Sequence, residues 1–370
     1  MKLMKRTTIW LSLFLCFFFL SGSVRPASAA GGVDGPPVYT AEEQFTQEDL
    51  NQEADLSQAT KLTATDGAQL EISAPGVYVL SGSAKNASVT VKAGKKDVVH
   101  LVLDGLHIVS QSGPCISVQK AAKVYITTTE SENSLEISGQ STDGAAAIYS
   151  KADLTLNGRG TLVLRSSKDG VTVKGTLCIT GGTYELSCQD AGFDAKDSIR
   201  VAGGEITITE CQDGLHSENN KDDTLGYVYI AGGSLRIACL DDAIHGNAAV
   251  QIDGGEITLT GHEGIESTRI RLNGGSVVIT ASDDGLNAGR KSTAWEPAVE
   301  ISGGYLSVTT TTSKCDAIDA NGDILIHGGD LNIHSNRPFD CDGVLEWTGG
   351  TVTVNGREIA PGQIDSLIVR

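Results

Sequence analysis

A Gly-Gly pair followed by alternating apolar and polar residues recurs along this chain, and the recurrence limits the fold more than any other feature. The pairs begin at Gly181, Gly203, Gly232, Gly254, Gly274, Gly303, Gly328 and Gly349, at intervals of 20 to 29 residues. A period of that length marks an array of small units, none of which can bury its apolar face alone. The unit GGSLRIACLDDAIHGNAAVQID (residues 232–253) shows the internal plan. Leu235 and Ile237 alternate with Ser234 and Arg236, the period of two of a half-buried strand. A bend at Asp241-Asp242 leads to Ala243-Ile244-His245, and Gly246-Asn247 turns the chain again before Val250 and Ile252. Three short strands and three bends, with no sustained 3.6-residue periodicity, predict an all-β chain wound as a right-handed parallel β-helix. Propeller blades, the competing design, are longer, at about 40 residues with four strands each. In this register Tyr184 aligns with Ile206 and belongs in the core.

Earlier segments such as ADLTLNGRGTLVLRSSKDGVTVKGTLCIT (residues 152–180) follow the same plan without the glycine pair. The repeats therefore span residues 61–355. Residues 30–60 are polar and acidic and suit a linker and N-terminal cap, while residues 356–370 suit a C-terminal cap over the last coil, because open β-helix ends invite edge pairing. Residues 1–29 combine a basic start, a short apolar run and an Ala-Ser-Ala exit, which predicts a cleaved secretory signal and a secreted, extracellular protein with no membrane insertion. Seven cysteines follow that leader, an odd number that cannot all pair within one chain. Cys315 and Cys341 each precede an acid in successive coils, so they are the expected disulfide.

The 370-residue chain carries a formal charge of −18, and loss of the leader bases Lys2, Lys5, Arg6 and Arg25 leaves about −22. That balance excludes nucleic acid and anionic membrane as partners and suits a soluble monomer or cation capture. The acids are not scattered. QDGLH, DDAIH, HEGIE and DDGLN (residues 212–216, 241–245, 262–266 and 283–287) are near copies of one another. Stacking puts Asp169, Asp213, Asp242, Glu263, Asp284, Asp316 and Asp342 in one column, interrupted by Ala191. A second column holds Asp194, His216, His245, Glu266, Asn287 and Asp319. At a spacing of about 4.8 Å, two bare carboxylates repel by about 3 to 4 kcal/mol for an effective dielectric near 20. They can splay into water, raise their pKa values, or bind cations. Oxygen ligands from several strands suit Ca²⁺, and the competing reading is that Asp and Gly simply make good turns. His216 and His245, in neighbouring coils, form either a stacked polar pair or part of a ligand site.

GVYVLSG (residues 76–82), LVLDGLHI (residues 101–108), AAIYSKADLTLNGRGTL (residues 146–162) and the repeated GGxIxIxxxDDGIxx resemble a family of exported bacterial carbohydrate-binding proteins. The resemblance implies a pectate-lyase-like parallel β-helix that binds calcium and plant cell-wall polysaccharide, polygalacturonate or cellulose. It places the calcium role on Asp213, Asp241, Asp242, Asp283, Asp284 and Asp316. Glu263 replaces the usual Asp, Ala191 removes one carboxylate, and Cys315 and Cys341 replace the first acid of their coils.

Carboxylates repeated in nearly every coil look like an ion-binding ladder, since an active site is normally a single departure from a repeat. Calcium-dependent binding of an acidic polysaccharide without catalysis is therefore the leading expectation, and a lyase or glycoside hydrolase on pectic polymers is the alternative. A structural or adhesive surface protein is the third reading, drawing on outward Thr207, Thr209, Thr258, Thr260 and Thr280. Arg200, Tyr229 and Arg271 occupy outward positions on the third strand of their coils. Arg290, Lys291 and Trp295 lie in the insertion GRKSTAWEP, which leaves the coil at the same phase as ENNKDDTLG. These residues are the expected rim of a polysaccharide groove.

Overall fold

The structure, a computed structural model, describes residues 38–111, 113–139 and 146–369, within one compact unit that begins at Pro36. The leader expected at residues 1–29 lies outside the described residues. The chain is all-β, and its strands join one large sheet that is parallel except where Thr351–Val354 meets Arg357–Glu358. Among the described residues no helix is long and apolar enough to cross a membrane.

From residue 116 onward the strands fall into three parallel ladders. The first contains the strands after the glycine pairs, including Glu205–Cys211, Ser234–Cys239 and Glu256–Gly261. The second begins with Ile116–Lys120, Ile148–Ser150, Val171–Val173, Phe193–Ala195 and Leu215–Ser217. The third contains Asp153–Gly158, Thr176–Ile179, Ser198–Val201 and Tyr227–Ile230. In Ile244–Ile252 and Ile265–Leu272 the second and third strands of a repeat run together. Each strand pairs with its counterpart one repeat later, so the same position recurs in register: Ile206 with Leu235, Leu235 with Ile257, and Ile257 with Val277.

The glycine pairs are what allow this close stacking. The second glycine of each pair adopts positive φ, as at Gly255 (104°) and Gly304 (80°), a region that side chains with a Cβ disfavour. The first glycine lies against the preceding repeat: a Cβ on Gly328 would sit 2.3 Å from the Ser302 carbonyl oxygen. Between the ladders runs a continuous apolar column in which Ile199, Val228, Val250 and Val299 are fully buried. Each such side chain contributes about 1.5 to 3 kcal/mol relative to exposure. Tyr184 is in this core, paired with Ile206 and 1% exposed, as the alternation predicted.

The N-terminal segment departs from expectation. Residues 38–53 do not close the first repeat; they lie as a strap along the outward face of the third ladder. The strap carries two four-residue helices, Ala41–Gln44 and Gln47–Leu50. Gln251 brackets the Tyr39 backbone with bonds of 3.0 and 2.8 Å, Arg200 donates to the Gln44 carbonyl at 3.1 Å, and Asn157 donates to that of Asn51 at 2.8 Å. Tyr39 stacks on Tyr227 at 4.2 Å, and Phe45 packs against Tyr229. Those aromatics cannot be covered by their own short helices, so the strap buries them on the ladder. In the C-terminal segment Ile359 and Ile364 join the core, and Ile368–Val369 pairs with Phe339 and Asp340.

Two further expectations are corrected. The disulfide joins Cys188 and Cys211, at the ends of consecutive first-ladder strands, with Cα atoms 4.9 Å apart. Cys315 and Cys341 are free. They do not face each other because Phe339, not Val344, is the core rung opposite Ile318, which sets Cys341 against Ala320. The same shift removes Asp342 from the acid column and puts Arg337 opposite Asp316. The sequence CDGV (residues 341–344) imitates CDAI (residues 315–318), but the greater apolar area of Phe339 decides the register.

Asp49 anchors the strap. Its carboxylate is buried and accepts from Lys123, Thr155 and Thr46. Burial pushes its pKa up, but these bonds outweigh burial and hold it below the ordinary Asp value. Its contribution is therefore complete above that ordinary value and is lost as pH falls through the lowered folded one. Asp49→Ala leaves the Lys123 ammonium half-buried and unpaired, and should weaken strap docking by about 3 to 5 kcal/mol. Limited proteolysis at neutral pH should cut residues 38–53 in the variant and spare them in the parent.

The polar edge of the second ladder

From Ile148–Ser150 to Leu286–Ala288 each repeat contributes three residues to the second ladder, with the middle residue pointing out. Register therefore fixes one outward column: Tyr149, Thr172, Asp194, His216, His245, Glu266, Asn287, Asp319 and Asp340. The bend before each strand supplies the second column. There the backbone N–H of Gly192, Gly214, Ala243, Gly264 and Gly285 donates to the carbonyl of Asp213, Asp242, Glu263, Asp284 and Asp316 respectively. Several side chains repeat that step: Asp284 Oδ1 accepts from the Asp316 N–H at 2.7 Å, and Asp213 Oδ1 from that of Asp242 at 3.3 Å. Part of the carboxylate column thus does serve the turns, as the competing reading held. Gln212, Asp241, His262 and Asp283 stack outside it through backbone bonds of 2.8 Å.

Neutralisation of this edge is uneven. Asp194 lies 3.1 Å from His216 and 3.7 Å from Lys174. His245 Nδ1 sits 2.9 Å from Asp242 and 2.8 Å from Glu266, its Nε2 is 3.0 Å from Asn247, and Lys291 binds the other Glu266 oxygen. Burial alone would lower the His245 pKa, but the bonds with Asp242, Glu266 and Asn247 outweigh it and push it up to about 10. Burial likewise acts upward on Glu266, yet His245 and Lys291 hold it down to about 2. At the far end Arg337 clamps Asp316 at 2.9 and 3.1 Å and Asp340 at 2.9 Å.

Between those two internally neutralised clusters lie Glu263, Asp283, Asp284 and Asp319, for which no Lys or Arg among the described residues lies in ion-pair range. Burial, then the charge of Glu266, pushes Glu263 up to about 8. Burial, followed by neighbouring carboxylates, pushes Asp284 up to about 6 and Asp319 to about 7. Burial and like neighbouring charge raise all three, and Lys291 and Arg337 act on Glu263 and Asp284 only from beyond ion-pair range. Two clusters bring ligand atoms within 4.8 Å of one another: Asp242 with His245 and Glu266, and His262 with Glu263 and Asp283. The first does not suit a hard cation, since an imidazolium and Lys291 already occupy its oxygens. The second offers the carboxylate oxygens of Glu263 and Asp283, donors of the kind Ca²⁺ favours, with His262 beside them.

The expected groove rim is redistributed. Arg200 and Tyr229 lie beneath the strap, with Tyr229 only 1% exposed and bonded to Asp253, so neither offers a binding surface. Arg271 is taken up by Glu300 and Gln251 on the same face. Trp295 packs against the aromatic cluster under the strap, and Arg290 pairs with Glu296. The two insertions do meet, through Ser292 and the Asp223 carbonyl at 2.6 Å. His216 and His245 stack with ring centroids 5.0 Å apart. Sequence reasoning missed Arg337 and Lys174 as counter-charges; Arg337 could have been found by anchoring its repeat on Phe339.

The fold and the register define the class of this protein as an all-β chain of stacked parallel repeats that carries outward polar columns along one ladder. The model of a family described as carbohydrate-binding domain-containing proteins matches residues 66–310 and 261–340, and the chain belongs to that family. A carbohydrate-binding domain-containing protein of Acetivibrio thermocellus is 28% identical over 201 residues, covering 52% of this chain and 70% of the relative. A solved structure of a polysaccharide lyase-like protein from C. thermocellum, a gadolinium derivative, is similar over 61% of this chain and 95% of its own, with 27% identity and a TM-score of 0.50.

The triad at His245 makes a sign-defined prediction. A histidine with a raised folded pKa contributes stability that is full below about 6.5 and is lost as pH rises toward about 10. His245→Leu should cost about 3 to 5 kcal/mol, because Asp242 and Glu266 are left buried side by side. Thermal melts of parent and variant should differ most near pH 6 and converge toward pH 10.

Proposed function

We propose that this protein is exported and binds an acidic plant cell-wall polysaccharide, polygalacturonate ahead of cellulose, through Ca²⁺ held on the polar edge, without catalysis. In this reading the three ladders wind as a right-handed parallel β-helix, the arrangement that best accounts for strand pairing three elements apart. The observation that carries the proposal is the run of carboxylates at Glu263, Asp283, Asp284 and Asp319, which lies between two internally neutralised clusters and has no Lys or Arg in ion-pair range among the described residues. Bound Ca²⁺ would supply there the positive charge that lets a strongly acidic chain hold polymer carboxylates. The family, whose members are described as carbohydrate-binding, supports a polysaccharide partner.

Binding is favoured over lysis because two candidate arginine bases are engaged. Arg200 is covered by the strap, and Arg337 is clamped by two carboxylates. A lyase needs a base free to approach the uronate. The relative described as polysaccharide lyase-like keeps that activity as the competing outcome. Electrophoresis through polygalacturonate gels should retard the protein with calcium and release it with chelator. Asp284→Asn combined with Asp319→Asn should weaken retardation about tenfold or more while leaving the melt without calcium unchanged or raised, because like charges are removed. Equal mobility with and without calcium contradicts the proposal, and unsaturated oligomers accumulating from the polymer would establish a lyase instead.

A further inference from the structure

The polar edge changes sign along its length. Lys151, Lys174 and Lys196 each follow the last residue of a second-ladder strand, in three consecutive repeats. Their backbone N–H groups donate to Val118, Ser150 and Val173 at 2.9, 2.8 and 2.9 Å, so the three lysines form a column of their own. They stand about one strand spacing apart, about 4.8 Å. Lys151 and Lys174 are exposed and Lys196 is half-buried. The next position in this column is Glu218, and beside it the Lys221 loop closes a groove of about 300 Å³ that Lys174, Lys196, Lys221 and His216 line.

Lysines stacked in register in a chain of net charge −18 carry the same repulsion as stacked acids. Their neighbours neutralise them only in part, although Asp194 and Glu218 line the same groove. Lys174 is 3.7 Å from Asp194, which His216 shares, and Glu218 lies near the far end; Lys151, Lys196 and Lys221 have no ion pair among the described residues. Just inside the column, Tyr149 points outward in register with Thr172, which is itself buried and donates to Asp169. The Tyr149 ring is half-buried, offering an aromatic surface next to a row of cations. Aromatic rings beside fixed polar groups suit sugar faces.

We infer that the column of Lys151, Lys174 and Lys196, with Tyr149 beside it, is a second, metal-independent subsite that binds consecutive carboxylates of a linear acidic polysaccharide. The inference builds on the proposed acidic ligand but not on calcium. One polymer chain lying along the second ladder would meet ammonium groups first and the acidic edge farther on. The lysine column supplies direct charge attraction, which salt screens.

The test is binding of the full chain to polygalacturonate in chelator at low and high salt, beside the variant K151Q/K174Q/K196Q. A control, K95Q/K96Q/K314Q, removes the same charge from exposed lysines elsewhere. The parent should retain weak, salt-sensitive binding without calcium. The column variant should lose about tenfold of it, since three exposed ion pairs are each worth a modest part of that factor. The control should bind like the parent, and all three should melt alike. Absence of calcium-free binding by the parent, or equal loss in control and column variants, overturns the inference. Calcium-dependent retardation is read separately, so failure of the acidic edge and failure of the lysine column give different results.

Discussion

In-register backbone pairing between successive repeats is the interaction on which everything else depends. It satisfies the peptide groups of each short strand, and it forces every position of one repeat over the same position of the next. For apolar positions that is favourable, and Ile199, Val228, Val250 and Val299 become one buried column. The Gly-Gly pairs are the cost of this closeness, because a side chain on Gly274 would meet the Asp253 carbonyl oxygen at 2.4 Å. For charged positions the same rule stacks like on like. The polar edge is therefore a consequence of the fold before it is a site.

The molecule answers that problem differently in different places. His245 and Lys291 neutralise Asp242 and Glu266, and Arg337 neutralises Asp316 and Asp340. Such built-in cations turn a repulsive step into structural cement that needs no ligand. Glu263, Asp284 and Asp319 have no such cation in ion-pair range among the described residues, and burial beside like charge pushes their pKa values up instead. Lys151 and Lys196 stand in the reverse situation, as cations with no ion pair among the described residues. An edge with an acidic stretch short of cations and a basic stretch short of anions suits partners of both signs, and the proposed calcium-loaded polyanion would supply both.

Much of this was legible in the sequence, for a physical reason. Strand alternation and the glycine period are local signals, so the ladders, the burial of Tyr184 and the column from Asp194 through His245 to Asp319 follow from them. What escaped depends on contacts without periodicity. The strap meets the ladder across some two hundred positions of sequence, as Tyr39 meets Gln251, and only its unexpected aromatics, Tyr39 and Phe45, hint that it needs a surface. That contact removes Arg200 and Tyr229 from the groove. The last register was misled by the second Cys-Asp pair, where the bulk of Phe339 outweighs the likeness of Cys341-Asp342 to Cys315-Asp316. Counter-charges such as Lys291 come from insertions, which carry no register of their own.

The central claim is that calcium occupies the stretch of the edge lacking its own positive charge. A crystal soaked in calcium, with ion positions located by anomalous scattering, tests it most directly. The account predicts ions bound by carboxylates of Glu263, Asp283, Asp284 or Asp319, and none at Asp242, His245 and Glu266. Ions at the histidine cluster with the other carboxylates empty would contradict it.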